Sequence, residues 1–361
     1  MMWRRRYIHE ISLEGINFKK ILMAKIRESQ FELLRIIAQW MIVFYHLLFF
    51  FTETIQADYP IFKGLQIPFH IGVILFVLIS GYYGIRPSAK GLIKLLSMVA
   101  IYYVPVALGS HIGSEKIVIG GGNSLINNVL FISHSPYWYI RTYIILYLFS
   151  PVINKYLHDI SNKERLALIC SLAFIAIWIG TTYGDTSLAE GKNIMNFILI
   201  YVIGDSIRTY KDKLDGVSPW ILLMSFISIN SILVMLYTCN PSSIIGKSIF
   251  YFSYPYCSPI IYINAIIVFI LFSKLKFYSP CTNKIAEAVL AVYLIHSHPV
   301  ILGSLIGPIA YRILDFTSSS PFSLIVSFII FATIIYILCT LVHFILSPVW
   351  NSIHYLTSKI N

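Results

Sequence analysis

Long apolar runs alternate along the chain with short polar connections, and within the runs the hydrophobic residues are continuous. Ten runs read as membrane-crossing segments: 31–51, 67–85, 92–110, 136–153, 166–183, 194–209, 219–238, 256–275, 285–308 and 322–346. Most are 16 to 25 residues long. With about 1.5 Å of rise per residue, such helices cross most or all of a roughly 30 Å hydrocarbon core. Lipid offers backbone groups no partner, so the runs predict helices. A barrel needs apolar and polar residues to alternate along each strand, which these runs do not. The predicted fold is an all-α polytopic bundle of about ten spans. Residues 1–30 form a basic cytoplasmic segment, 31–346 the membrane domain and 347–361 a cytoplasmic tail. Met23, followed by Ala-Lys, is a second candidate start.

Composition agrees with the pattern. The 361 residues are 57% hydrophobic and 12% charged, with a mean hydropathy of +0.76. A soluble domain carries roughly 25% charged residues. A soluble enzyme, a disordered chain and a disulfide scaffold are excluded. The formal charge is +11, which in a soluble protein would suggest nucleic acid. Here the basic residues gather in alternate loops: 19 of the 27 lie on the side of the N-terminus, five on the opposite side and three within spans. That asymmetry places both termini in the cytoplasm and argues against a nucleic-acid face. The five cysteines show no zinc spacing, and no metal is expected. Cys239 and Cys257 share the outer side, where a disulfide would have to form. The glycines at 120–122 follow no strand and read as a flexible outer loop, not a phosphate cradle.

Ionisable residues inside apolar helices are costly and tend to line bundle interiors or watery paths. Arg35 and His46 both lie in the first run, FELLRIIAQWMIVFYHLLFF. Eleven residues is three turns plus roughly 20°, so they face the same way, about 16 Å apart. Glu32 stands one turn before Arg35 and is placed to pair with it. The competing reading has Arg35 reaching the inner headgroups and His46 hydrogen-bonded between helices. His70 lies near the outer end of the second run, level with His46. Tyr293 and His296 share a helical face. Arg141, about five residues inside the fourth run, either snorkels or binds substrate. Lys90 and Lys94 share a face beside Arg86.

The order of these features resembles the acyltransferase 3 family of integral-membrane acyltransferases. Arg35-x10-His46 is similar to the family's first-span motif. FVLISGYYGI, around Ser80 and Gly81, is similar to the second-span segment. YWYIRTYIILYLFSPVIN has the Trp138 start and Pro151 close of the fourth, and VYLIH, Val292 to His296, resembles the ninth. One departure is that Arg86, Lys90 and Lys94 stand where many members have Arg-x-x-Arg. Lysine keeps the charge and loses the planar fork. The YWYI…SPVIN form is most similar to members that O-acetylate bacterial surface polysaccharides.

The resemblance implies an O-acetyltransferase of the inner membrane that uses acetyl-CoA as donor and a polysaccharide or lipid-linked glycan as acceptor. His46 is expected as base or acyl-carrying nucleophile, since imidazole titrates near neutrality. Arg35 is expected to orient or neutralise charge, and Arg86, Lys90 and Lys94 to meet the CoA phosphates. Arg141, His70, Trp138, Tyr293 and His296 are the acceptor-binding candidates. The rival is a flippase for a lipid-linked saccharide, which needs no base at position 46. The absence of an internal repeat weakens it. A glycan polymerase is a third reading, but Arg312 is the one outer arginine.

Overall fold

The computed structural model describes residues 28–54, 60–112, 137–182, 190–317 and 320–358. The described residues are almost entirely helical, with no strand among them. The 111–135 glycine loop lies almost wholly outside the described residues. Helix α1, Ser29–Phe49, continues through a π-helical turn at Phe50–Thr54. Then come α2 (Pro60–Phe69), α3 (Gly72–Tyr83), α4 (Ala89–Ile112) and α5 (Trp138–Asp159). Helix α6 (Asn162–Ala173) is prolonged by a π-helical stretch, Phe174–Thr182. It is followed by α7 (Ile194–Thr209), α8 (Lys211–Asp215), α9 (Pro219–Cys239), α10 (Ile244–Ser253) and α11 (Pro259–Ser273). Helices α12 (Pro280–Ile285), α13 (Val289–His296), α14 (Pro299–Ile301) and α15 (Gly307–Thr317) form a broken run before α16 (Pro321–Ile345) and α17 (Ser347–Ser358).

Proline starts six of these helices, at Pro60, Pro219, Pro259, Pro280, Pro299 and Pro321. There its missing N–H falls on a group that is unpaired in any helix. Ser161 and Glu164 cap each other's backbone at the start of α6, with contacts of 3.3 and 2.7 Å.

Among the described residues five helices are long and apolar enough to cross a membrane: Ser29–Glu53, Pro60–Tyr83, Ala89–Gly109, Pro219–Cys239 and Pro321–Ile345. A sixth is counted if Pro280–His296 and Pro299–Leu314 are taken as one span bent by 69°. The ninth predicted segment is therefore broken, not straight. Pro299 lacks an N–H and forces its predecessor out of the helical region, and His298 sits at φ −64°, ψ 126°. The second predicted segment begins earlier than expected, at Pro60, and turns at His70–Ile71.

The outward faces are apolar. Trp220, Ile221, Met224 and Ile232 on α9, and Leu338, Leu341 and Ile345 on α16, are all exposed. A surface of that character suits lipid, not water. Inside, helices pack through small residues, as lipid-embedded helices do. A Cβ on Gly81 of α3 would stand 2.1 Å from the Tyr201 carbonyl of α7, and one on Gly204 only 2.4 Å from the Leu78 carbonyl. A Cβ on Gly72 would meet the Ala38 carbonyl of α1 at 2.6 Å. The resemblance segment around Ser80-Gly81 is thus the place where α3 and α7 touch backbone to backbone.

Hydrogen bonds define two ends. At the basic end, Ser29 joins Asn283 at 2.9 Å, Lys274 reaches the Leu214 carbonyl at 2.7 Å and Arg165 binds Asp205 at 2.5 Å. At the other end Gln66 donates to Thr52 at 2.9 Å, and Lys63 pairs with Glu53 at 3.0 Å. The disulfide considered between Cys239 and Cys257 is not formed. None of the five cysteines is in a disulfide, Cys257 being buried and Cys239 exposed at the end of α9.

Candidate active site

His46 stands in the second half of α1, where the helix is enclosed on several sides. Its Nδ1 lies 3.0 Å from Nε2 of His296, the last residue of α13. The Nδ1 of His296 lies 2.6 Å from the carbonyl of Val292, one turn back in the same helix. A carbonyl only accepts, so His296 Nδ1 carries a proton. In the neutral ring Nε2 is then the acceptor, and His46 Nδ1 must donate to it. The relay leaves the lone pair of His46 on Nε2, to which none of the described residues hydrogen-bonds. The break after His296 matters here. It ends α13 at the ring that orients His46. Tyr137 fastens the same stretch by donating to the Leu294 carbonyl at 2.6 Å.

Arg35 lies further down α1. Its Nη1 donates to both oxygens of Glu32, at 3.0 and 3.2 Å, as the spacing predicts. Arg35 lines a cavity of about 390 Å³ bounded by α1, α3, α4, α5 and α13. Its walls are mostly apolar, including Ile42, Val73, Phe76 and Leu290, with Tyr139, Tyr143 and Tyr293 among them. Gly91 and Glu287 border its basic end, where Tyr147 holds the start of α4 by accepting from the Ser88 N–H at 2.8 Å. His46 lies one turn beyond Ile42, and His296 three residues beyond Tyr293. Tyr293 and His296 have ring centres 6.3 Å apart.

The remaining candidates divide. Lys90 and Lys94 are half-buried on α4, beside the cavity residues Gly91 and Leu95. Arg86 is exposed just before α4 and does not line the cavity. Arg141 is exposed in the first turn of α5, closer to the helix end than predicted, because α5 begins at Trp138. His70 belongs to an aromatic cluster next to His46. Its ring stacks on Tyr45 at 4.4 Å and meets the edge of Tyr256 at 4.0 Å, and Trp138 lies 5.0 Å from Tyr256.

Three features escape the sequence reading. Gln39 lines the cavity between Arg35 and His46. Tyr139 and Tyr143, one turn apart on α5, form part of its wall. His298 caps α14 through Nδ1, which accepts from the Val300 N–H at 3.2 Å. Gln39 was legible as the i+4 neighbour of Arg35 in an apolar helix. The tyrosines are lost among 25 of their kind.

The comparisons with known proteins fit this geometry. A sequence profile described as an acyltransferase domain matches residues 28–347. The chain belongs to the acyltransferase 3 family. The match begins one residue before α1 and ends at the first residue of α17, so it contains the histidine pair and the cavity. Neither the curated proteins nor the solved structures compared with this acyltransferase 3 chain give a match.

Proposed function

We propose that this protein O-acetylates a cell-surface polysaccharide or its lipid-linked precursor from cytoplasmic acetyl-CoA, as a ten-span inner-membrane enzyme with both termini in the cytoplasm. One observation carries the reading. A histidine pair with one open nitrogen stands a turn beyond a cavity whose opposite end holds an arginine.

In this reading the basic end faces the cytoplasm. Arg35, Arg86, Lys90 and Lys94 meet the diphosphate and phosphate groups of the donor. The acyl thioester then lies toward His46. The acceptor hydroxyl comes from the opposite end, past His70, Trp138, Arg141 and Tyr293. His46 Nε2 takes the hydroxyl proton as the oxygen attacks the thioester carbonyl. The C–O bond forms, the C–S bond breaks, and the proton passes to the departing thiolate. Alternatively Nε2 itself takes the acetyl group and hands it to the hydroxyl in a second step. In both routes His296 is a positioning residue. It holds His46 in the tautomer that presents Nε2 and stabilises the positive charge that develops on the ring.

The test is acetyl-CoA turnover by lipid-reconstituted protein, with and without the host's lipid-linked glycans, following both free thiol and label in the glycan. Labelled glycan from the parent and none from folded His46→Ala supports the reading. Turnover by His46→Ala would keep the enzyme class and remove the assigned base. No turnover by a folded parent given several glycans would favour a lipid-saccharide flippase.

A further inference from the structure

Gln39 carries a buried amide whose nitrogen has no partner among the described residues. The residue is 1% exposed. Leaving such a group unpaired costs about 1–3 kcal/mol. It lines the same cavity as Arg35, with Val73, Phe76 and Leu290 as apolar neighbours. On α1 it stands four residues above Arg35 and seven below His46, steps that keep all three within about 40° of one face.

We propose that Gln39 marks a subsite for a secondary amide in the pantetheine arm of the acyl donor. The inference rests on the reading above that the donor is acyl-CoA. With the phosphates at Arg35 and the thioester at His46, the arm between them has to pass Gln39. That arm is apolar apart from two amides and one hydroxyl near its phosphate end. Each amide offers one carbonyl and one N–H, and the glutamine side chain offers the complementary pair. One amide–amide contact therefore satisfies both groups inside an apolar wall. A lipid chain filling the same slot would leave Gln39 unpaired.

The subsite would hold the arm without touching the reacting atoms, so Gln39 is a positioning residue. The experiment compares the parent with Gln39→Leu in lipid-reconstituted protein. Three donors are used: acetyl-CoA, S-acetylpantetheine and a simple alkyl thioacetate that has no amide. The subsite predicts that Gln39→Leu raises KM about tenfold for the first two donors, with kcat little changed. kcat/KM for the amide-free thioester stays at the parent value. The thermal midpoint without donor holds or rises, because an unpaired polar group has been removed.

Equal losses on all three donors would overturn the subsite in favour of a packing role. No loss on any of them would overturn it in favour of a slot filled by water. A parent that does not turn over acetyl-CoA at all would overturn the donor reading itself, and the subsite with it. An active parent with an unaffected Gln39→Leu would remove the subsite alone.

Discussion

Arg165 and His46 are both polar side chains held within an apolar bundle, and their surroundings are built differently. Arg165 is 6% exposed, and its guanidinium donates to Asp205 at 2.5 Å, Ser206 at 3.4 Å and the Leu157 carbonyl at 2.8 Å. The second oxygen of Asp205 is taken by Arg208. That network joins α5, α6 and α7 and leaves no oxygen of Asp205 unanswered. The histidine pair is also ordered, through the Val292 carbonyl, but its chain of donors and acceptors ends on a nitrogen to which no described residue hydrogen-bonds. A closed network specifies how helices meet. An open one, on the proposed reading, holds the reacting nitrogen in a set orientation. The distinction lies in where the last lone pair points, and burial alone does not reveal it.

The sharpest way to break the comparison is His46→Ala. Transfer is expected to fall about 10²- to 10⁴-fold, the usual contribution of a positioned base. Stability of the reconstituted protein should fall by no more than the loss of the donor to buried His296, about 1–3 kcal/mol. Arg165→Met is the mirror experiment. Methionine fills part of the volume but leaves Asp205 buried with Arg208 alone, at a cost of about 3 kcal/mol in stability. The kcat of the molecules that remain folded should match the parent. A well-folded Arg165→Met protein with no transfer would erase the division between the two clusters.

His296→Ala probes the order within the open network. Without its acceptor, His46 is free to change tautomer, and kcat should drop about 100-fold with KM nearly constant. His296→Gln should recover part of that loss, since its carbonyl can accept from His46 Nδ1. A change confined to KM would place His296 on the acceptor rather than behind His46, the role the sequence reading assigned to it.

The positioning role proposed for His296 shows what a linear sequence carries. Helical periodicity put Arg35 near Glu32 and Tyr293 on the face of His296, because these relations stay within a few turns of one helix. The His46–His296 contact spans 250 residues and a broken helix, and no spacing rule reaches that far. The all-helical class was legible from the continuous apolar runs. The 69° break was signalled by Pro299, but its consequence, ending α13 at the ring that orients His46, depends on tertiary packing. Lys90 and Lys94 read correctly as sharing a face of α4. Arg86 joins them on charge alone, and it stands exposed ahead of α4.

The packing beneath both clusters can be tested at Gly81. Its added methyl would meet the Tyr201 carbonyl, which is backbone and cannot swing away. Gly81→Ala should cost about 1–3 kcal/mol through displacement of α3 against α7. Ser80→Ala beside it should fold normally, since the Ser80 hydroxyl donates to the Phe76 carbonyl of its own helix at 2.9 Å. Normal stability in Gly81→Ala would mean that the two helices do not pack as closely as the structure has them.

The smallest effect belongs to the edge of the closed network, at the residue before Arg165. The Ser161 N–H and hydroxyl hold the Glu164 carboxyl below its ordinary range. A lowered carboxyl stabilises the folded state at pH above the unfolded value, near 4.3, and that contribution fades as pH falls through the lowered one. Glu164→Gln keeps an acceptor for the Ser161 N–H but removes the titration. Its unfolding midpoint at neutral pH should therefore stay close to the parent's, and its decline on acidification should be shallower. An unchanged acid limb would show that Glu164 is not the group being titrated there. Since α6 carries Arg165 one residue later, loosening this cap should weaken the closed cluster before it alters transfer at His46.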